Sequence, residues 1–277
     1  MSAPGTTEGR RDELVARLGD LATDLATGAA ALVAAHARRP HQVHAKSTVT
    51  DLVTDVDRLA EDWLRDRIAT LRPADAVLGE EGGASRPGND TVRWVLDPID
   101  GTVNFVLGLP HYAVSVAAEL RGEVVAGAVC NPATGELFHA RLGAGAYVDG
   151  TPITGPRDVP PERMVVGTGF GYQAETRTWQ AAAVARLLPR VADIRRMGAA
   201  SLDLCAVAAG RLDAYFESGL SRWDYAAGAL IAAEAGCMVF GPGGGVPSSA
   251  LVGAAGREHA ASFTALLAEV GALPPEA

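Results

Sequence analysis

Residues 112–148 constrain the fold most, because short alternating apolar strands there are separated by turn sequences. The turns are Arg121-Gly122, Asn131-Pro132, Thr134-Gly135 and Gly143-Ala144-Gly145. Strands joined by such short turns predict an antiparallel meander. Before the meander, residues 12–39 and 55–71 carry apolar side chains at helical spacing and predict two helices. Residues 76–78 and 92–96 predict two further short strands.

After Pro160, predicted strands and helices alternate. The strands are residues 164–168, 191–194, 214–217, a segment near Met238 and 251–254, and the helices are residues 176–188, 199–209, 225–235 and 258–270. The pattern predicts an α+β fold of two packed halves that divide near residues 152–160. We expect a disordered tail at residues 1–10, an N-terminal α+β half at 11–155 and a C-terminal α/β half at 156–277, packed as one compact unit.

Composition excludes some classes of protein. The net charge of −9 and the 5% aromatic content disfavour a nucleic-acid partner, since a phosphate backbone needs a basic surface. Cys130, Cys205 and Cys237 form no CxxC pair, which predicts buried free thiols in a reducing compartment. No signal-peptide pattern begins the chain, and its best apolar stretch, residues 225–240, is too short to span a bilayer. We therefore expect a cytoplasmic protein without a membrane partner.

The sequence WVLDPIDGTVNF, residues 94–105, places two acids at the end of an apolar strand. Pro98 favours an extended conformation for Asp97, so a rigid turn can hold Asp97 and Asp100 on one side. Gly101 and Thr102 can then open a helix whose free N–H groups face the same space. This pattern suits a metal-assisted phosphate site, because Mg²⁺ takes carboxylate oxygens as ligands. An Asx turn with a helix cap explains this segment equally well.

Further acids lie in separate segments. Glu80 and Glu81 follow a short strand, and ligands collect at strand ends in sheets of this kind. Asp224 directly precedes an apolar helix, where an N-cap role is the simpler interpretation. Asp57 stands at the start of the second predicted helix and has the same simple interpretation. Three or four acids brought together from separate segments are what two clustered Mg²⁺ ions would require.

Taken together, these motifs resemble the inositol monophosphatase family of Mg²⁺-dependent, lithium-sensitive phosphatases. The matching segments, in order, are KSTVTDLVTDVD (46–57), GEE (79–81), WVLDPIDGTVNF (94–105), RRMGAASLDLCAVAAGRLDAYFESGLSRWD (195–224) and WDYAAGALIAAEAG (223–236). The resemblance spans residues 12–270 and implies an α/β/α/β/α sandwich of the inositol monophosphatase and fructose-1,6-bisphosphatase type. Leu107 and Cys237 depart from the residues usual in the family, and neither departure removes a metal ligand.

The resemblance implies a phosphomonoesterase with two or three Mg²⁺ ions, or Mn²⁺, in its site. Glu80, Asp97 and the Ile99 carbonyl would hold the first ion. Asp97, Asp100 and Asp224 would hold the second, and Glu80 would help to hold a weaker third. Metal-activated water would then hydrolyse the ester.

The same resemblance assigns the remaining roles. Thr102, oriented by Asp57, and Glu80 would position and deprotonate the attacking water. The residues placed against the substrate are Ile99, Asp100, Gly101, Thr102, Gly198, Ala199, Ala200, Glu217 and Asp224. Glu217 would accept hydrogen bonds from hydroxyls of the substrate alcohol, and a homodimer is the expected assembly.

Inositol 1-phosphate is the favoured substrate, with other phosphate esters as alternatives. Arg195, Arg196 and Arg222 keep fructose 1,6-bisphosphate open, since its second phosphate needs basic residues. Histidinol phosphate also stays open, whereas 3′-phosphoadenosine 5′-phosphate would need a base-binding surface that the sequence does not reveal. A non-catalytic regulatory binding protein of the same fold is the remaining alternative, and the retained acids favour an enzyme.

Overall fold

The computed structural model describes residues 7–37, 39, 42–45, 51–84 and 92–274. Its helices are α1 (Thr7–His36), α2 (Asp55–Leu71), α3 (Thr102–Leu107), α4 (Ala174–Leu187), α5 (Ala200–Ala208), α6 (Arg222–Glu234) and α7 (Ala260–Glu269). Its strands are β1 (Val43–Ala45), β2 (Leu52–Thr54), β3 (Ala76–Gly79), β4 (Gly83–Ala84), β5 (Val92–Asp100), β6 (Ala113–Leu120), β7 (Glu123–Cys130), β8 (Leu137–Arg141), β9 (Ala146–Val148), β10 (Thr151–Ile153), β11 (Val165–Thr168), β12 (Asp193–Arg195), β13 (Ala214–Glu217), β14 (Met238–Phe240) and β15 (Val252–Ala255).

Two large sheets organise the chain. The first has eight strands in the order β10-β9-β8-β7-β6-β5-β3-β4, and the second has five in the order β12-β11-β13-β15-β14. Strands β5 to β10 are antiparallel to their neighbours along that series, which confirms the predicted meander. Strand β3 is parallel to β5, so the carboxyl ends of both strands lie at one edge of the sheet. That edge carries most of the predicted acids.

Five layers follow from the face that each helix covers. Helices α1 and α2 cover the outer face of the eight-stranded sheet, where Leu25 packs in the same cluster as Trp94. Helices α5 and α6 lie between the sheets, and Leu204 shares a core with Tyr215 of the second sheet. Helices α4 and α7 cover the outer face of the second sheet, where Phe263 packs against its strands. This is the α/β/α/β/α sandwich that the resemblance implied.

The central layer packs closely because its contact residues are small. A Cβ added to Gly127 of β7 would lie 3.0 Å from Cα of Ala227 in α6. Within the same layer, a Cβ added to Gly228 would lie 2.9 Å from Cβ of Leu204 in α5. The helices therefore approach the sheet and each other at distances that larger side chains would prevent.

Strand β5 differs from its prediction, and the difference matters for the site. We predicted a strand that ends at Leu96 and is followed by a turn, but β5 continues to Asp100. Its pairing with β6 is irregular between Asp97 and Asp100. Pro98 lies inside this irregularity, where a residue without an N–H is tolerated. The two acids are therefore held by a bulged strand.

The first helix also differs from its prediction. It begins at Thr7 and ends at His36, whereas residues 12–39 were predicted. Glu8 in its first turn favours a start at that point, because acidic side chains stabilise helix N-termini. Residues 7–10 are therefore helical, while residues 1–6 of the expected tail lie outside the described residues. The division at residues 152–160 into two halves stays a prediction.

Among the described residues, one helix is long and apolar enough to cross a membrane. The segment Glu8–His36 of α1 has a mean hydropathy of 1.3 over its most apolar window. In this fold its apolar face, including Leu18, Ala22 and Leu25, is buried in the core on the eight-stranded sheet. Core helices of that kind pass the same test, so the helix is weak support for a membrane span.

Candidate functional site

The predicted acids come together from three elements. Glu80 follows β3, Asp97 and Asp100 lie in the bulged end of β5, and Asp224 lies in the first turn of α6. Glu80, Asp100 and Asp224 line one cavity of about 350 Å³, and Asp97 is buried beside them. The four acids lie close enough to interact, since the charges of Glu80, Asp100 and Asp224 all raise the pKa of Asp97.

Main-chain and hydroxyl donors hold these carboxylates in place. The Ile99 N–H donates to Asp97 Oδ1 at 3.1 Å, inside the bulge. Asp100 Oδ2 accepts from the Ser201 N–H at 2.7 Å and from the Ser201 hydroxyl at 2.5 Å. Asp224 Oδ2 accepts from the Ser221 N–H at 2.6 Å. Among the described residues, these bonds engage one oxygen each of Asp100 and Asp224, which leaves Oδ1 of each available to a cation.

Asp224 is not the N-cap that its sequence position suggested. Ser221 occupies that position, and Asp224 is the third residue of α6, where its carboxylate returns a hydrogen bond to the Ser221 N–H. The same arrangement, a capping box, opens α2 with Thr54 as the N-cap and Asp57 as the third residue. A carboxylate at that position reaches back past the start of its helix. In α6 this brings Asp224 to the cavity.

The electrostatics of the cluster call for a cation. Burial, followed by the charges of Glu80, Asp100 and Asp224, holds the pKa of Asp97 well above its ordinary value. Burial also raises the pKa of Asp100 to about 6, although Ser201 donates two hydrogen bonds to it. The pKa of Asp224 is raised by burial and by Asp100 and Glu80. Buried like charges are costly unless a positive charge meets them. Because the atoms that could coordinate a cation here are all carboxylate oxygens, the residues present fit Mg²⁺ or Mn²⁺.

A second network connects the bulge of β5 to α2. The Thr102 hydroxyl lies 3.1 Å from Asp57 Oδ1 and 3.0 Å from the Ile99 carbonyl oxygen. The other oxygen of Asp57 accepts from the Thr54 N–H at 2.8 Å and from the Thr54 hydroxyl. Asp57 is fully buried, and burial raises its pKa. The predicted pair of Thr102 and Asp57 is therefore in contact.

The opposite wall of the cavity comes from the loop before α5 and from the end of β13. Gly198 and Ala200 line it, and Ala199 is buried behind them. A Cβ added to Gly101, which has a φ of +89°, would lie 3.0 Å from the Gly198 carbonyl oxygen. Only glycine suits this position, because the backbone is left-handed and the contact is close.

Glu217 lines the same wall, and the Tyr215 side chain holds its carboxylate in place. Its Oε2 accepts from the Tyr215 hydroxyl at 2.6 Å. A Cβ added to Gly169 would overlap the Glu217 carboxylate, so a glycine at position 169 leaves the space that this carboxylate occupies. Burial raises the pKa of Glu217 to about 7. The structure therefore brings all the predicted site residues to the cavity or directly behind it.

Sequence reasoning missed the residues that support the site. Glu61 of α2 is 2% exposed, and it accepts from the N–H groups of Glu81 at 2.7 Å and Gly82 at 2.8 Å. Arg65, one turn on, donates to Glu61 at 2.7 Å and to the Gly83 carbonyl at 2.7 Å. This pair fixes the loop that carries Glu80. The only sequence signal for this pair was its i,i+4 spacing. Exposed ion pairs on helices have the same spacing, so it did not indicate a buried, supporting pair.

The other noted positions lie as follows. Lys46, in a segment that carries the resemblance, lies outside the described residues. Leu107, at the end of α3, is 67% exposed, and Cys237 is buried with a free thiol, as are Cys130 and Cys205.

Another group of potential metal ligands does not line the cavity. Asp158, Glu258 and His259 have ligand atoms within 4.8 Å of one another. Asp158 already accepts from the Glu258 N–H at 2.8 Å and contacts Nδ1 of His259 at 3.0 Å. These bonds explain the group as an anchor for the start of α7.

Comparison with known proteins identifies the family of this chain. The sequence model of the inositol monophosphatase family matches residues 15–272 of this chain. Inositol-1-monophosphatase SuhB of Mycobacterium tuberculosis H37Rv is 49% identical over 250 residues, which cover 83% of this chain and 86% of that protein. The Nus factor SuhB of Escherichia coli K12 is 39% identical over 222 residues, covering 79% and 83% respectively. The solved structure of Mycobacterium tuberculosis SuhB superimposes with a TM-score of 0.80 at 44% identity, covering 94% of this chain and 98% of that one.

Proposed function

Because the chain belongs to the inositol monophosphatase family, and hence to the inositol-phosphate phosphatases, we propose that it hydrolyses inositol 1-phosphate to inositol and phosphate. The observation that carries this proposal is the cluster of Glu80, Asp97, Asp100 and Asp224 beside one cavity, where the other three carboxylates raise the pKa of Asp97. An acidic cavity repels a phosphate ester unless cations neutralise it. A phosphatase with this cavity therefore needs metal ions.

The acids would divide between two Mg²⁺ positions. Glu80, Asp97 and the Ile99 carbonyl would hold one ion, and Asp97, Asp100 and Asp224 the other. Glu80 would also help to hold a weaker third ion, and Mn²⁺ suits the same oxygen donors. When bound, the ions supply a water of lowered pKa and positive charge for the phosphate and leaving-group oxygens.

Thr102 and Asp57 would orient the attacking water. A hydroxyl has one proton and two lone pairs, so Thr102 can donate to Asp57 while it accepts a hydrogen bond from water. Glu80, which lines the cavity, would accept the proton that the water loses. Attack at phosphorus then breaks the ester P–O bond, and the inositol oxygen takes a proton from solvent.

The remaining predicted residues would bind the substrate. The N–H groups of Gly101 and Thr102, at the start of α3, would donate to phosphate oxygens. The inositol ring would lie against the main chain of Gly198 and Ala200. Glu217 would accept hydrogen bonds from ring hydroxyls, and Tyr215 holds its carboxylate in place for this.

Arg196 favours a second candidate substrate, fructose 1,6-bisphosphate. Among the described residues that line the cavity, it is the only basic side chain. Its charge lowers the pKa of Glu217, so it faces the wall where the alcohol would bind. A guanidinium there suits a second phosphate on the alcohol.

Two other esters and a non-catalytic role complete the alternatives. Histidinol phosphate would use the same metal chemistry. The aromatic residues Phe170, Tyr172 and Trp223 line the cavity, so the base-binding surface that the sequence did not reveal for 3′-phosphoadenosine 5′-phosphate has candidates. A regulatory binding role is the alternative that the name of the Escherichia coli relative raises.

The test is phosphate release from the four esters, compared side by side by kcat/KM at saturating Mg²⁺. We expect inositol 1-phosphate to be preferred. A preference for fructose 1,6-bisphosphate that Arg196→Gln reduces would transfer the assignment to the second candidate. Turnover of none of the esters by folded, Mg²⁺-bound protein would make the regulatory role the better account.

The resemblance also leads us to propose lithium inhibition, a homodimer and a cytoplasmic location. Three buried free thiols support a reducing compartment. Light scattering should give twice the mass of one chain, and Li⁺ should reduce phosphate release at a fixed Mg²⁺ concentration. A monomer by scattering, or release insensitive to Li⁺, would contradict the corresponding expectation.

A further inference from the structure

Ser201 donates two hydrogen bonds to a predicted metal ligand. Its side chain is fully buried at the start of α5. Both its N–H, at 2.7 Å, and its hydroxyl, at 2.5 Å, donate to the same atom, Oδ2 of Asp100. The two residues are 101 positions apart, so this contact joins the bulge of β5 to the central helix layer.

Two donors on one oxygen fix the rotation of a carboxylate more tightly than one donor can. The Ser201 N–H is in the first turn of α5, where main-chain donors have no partner inside the helix. This N–H would bind Asp100 with any residue except proline at position 201. The hydroxyl is the additional restraint, and it belongs to serine itself. With Oδ2 held in this way, Oδ1 of Asp100 keeps one position relative to Asp97 and Asp224.

We propose that the Ser201 hydroxyl is a positioning group for Asp100 and that it sets the affinity of the cavity for divalent cations. The inference rests on the metal site of the proposed function. Groups that orient a metal ligand commonly change metal affinity by about 10- to 100-fold when they are removed. The hydroxyl would not touch the substrate or the ion, so its effect would act through Asp100.

The test is Mg²⁺ binding to the metal-free, full-length protein by isothermal titration calorimetry, with Mn²⁺ binding followed by electron paramagnetic resonance. Ser201→Ala removes only the hydroxyl, and alanine favours the helix. Ser262→Ala is the matched control, because Ser262 lies in the first turn of α7 and its exposed hydroxyl donates to the His259 carbonyl at 2.9 Å.

We expect Mg²⁺ affinity to fall about 10-fold in Ser201→Ala and to stay at the parent value in Ser262→Ala. Melting temperatures of the metal-free proteins separate positioning from stability. Parent-like Mg²⁺ affinity in Ser201→Ala, with or without a lower melting temperature, would overturn the inference and leave the proposed function intact. Failure of the parent itself to bind Mg²⁺ would overturn both.

Discussion

At the residue scale, the acids of the cavity impose a cost that bound cations should relieve. The pKa of Asp100 is raised to about 6 and that of Glu217 to about 7, both chiefly by burial. These two groups therefore bind more protons in the folded, metal-free protein than in the unfolded chain between about pH 4 and pH 7. We predict that its melting temperature falls as pH rises through this range and that Mg²⁺ stabilises it more at pH 7.5 than at pH 5.

Asp97→Asn provides the control for this prediction. An asparagine keeps an oxygen to accept from the Ile99 N–H but removes a buried carboxyl whose pKa is held well above its ordinary value. Metal-free Asp97→Asn should melt higher than the metal-free parent at pH 7.5, by at least about 2 °C, which corresponds to about 1 kcal/mol. Equal melting temperatures would mean that the carboxylates do not strain one another, contrary to our account.

The Thr102 hydroxyl supports another prediction at this scale. Thr102→Ala should lower kcat about 100-fold at saturating Mg²⁺, because the water loses the group that orients it. Thr102→Ser keeps the hydroxyl near Asp57 and should retain most of the activity. Equal losses in both variants would show that the methyl group of Thr102, rather than its hydroxyl, is what the site requires.

At the element scale, α2 supports the loop that carries Glu80. Glu61 accepts two main-chain N–H groups of this loop, and Arg65 joins it to the Gly83 carbonyl. Glu61→Gln would replace one acceptor with a donor that faces N–H groups. We predict a loss of about 2 kcal/mol in the free energy of unfolding by urea.

Glu13→Gln serves as the matched control for Glu61→Gln. Glu13 also pairs with an arginine four residues on, at 3.5 Å, but both side chains are 66% exposed. Its substitution should leave the unfolding midpoint unchanged, since exposed pairs contribute little. Similar effects of the two variants would contradict a supporting role for Glu61.

The elements themselves were largely predictable, for local reasons. The bounds of α2 and β13 match their predictions because the helical periodicity of one and the apolar run of the other are local signals. The bulge in β5 could not be predicted, since it depends on pairing with β6. The acids of the site were visible in short motifs, whereas the contact of Ser201 with Asp100 depends on the fold that joins residues 101 positions apart.

At the scale of the whole molecule, close packing between the two sheets brings their loops together at one cavity. Gly127→Ala should push β7 away from α6, because the new Cβ would lie 3.0 Å from Cα of Ala227. We predict a loss of about 1–3 kcal/mol in unfolding free energy, measured by urea denaturation. A neutral effect would mean that the central layer tolerates expansion.

The layered architecture was expected from the resemblance, but its layers could not be derived from composition or periodicity. Helix α5 illustrates the reason, since it is buried on all sides and shows no apolar face that would indicate its neighbours. Its position between two sheets follows from packing with residues far along the chain, such as Tyr215. Sequence pattern alone therefore predicts the α+β class but not the order of the layers.

The most direct test of the central claim is phosphate release from inositol 1-phosphate as a function of Mg²⁺ concentration, for the parent and Asp97→Asn at pH 7.5. Our account predicts no release without added Mg²⁺, saturable activation in the parent and loss of that activation in Asp97→Asn, which should remain folded. Release by the metal-free parent, or Mg²⁺ activation that persists in Asp97→Asn, would contradict the assignment of the carboxylate cluster as the metal site of a phosphatase.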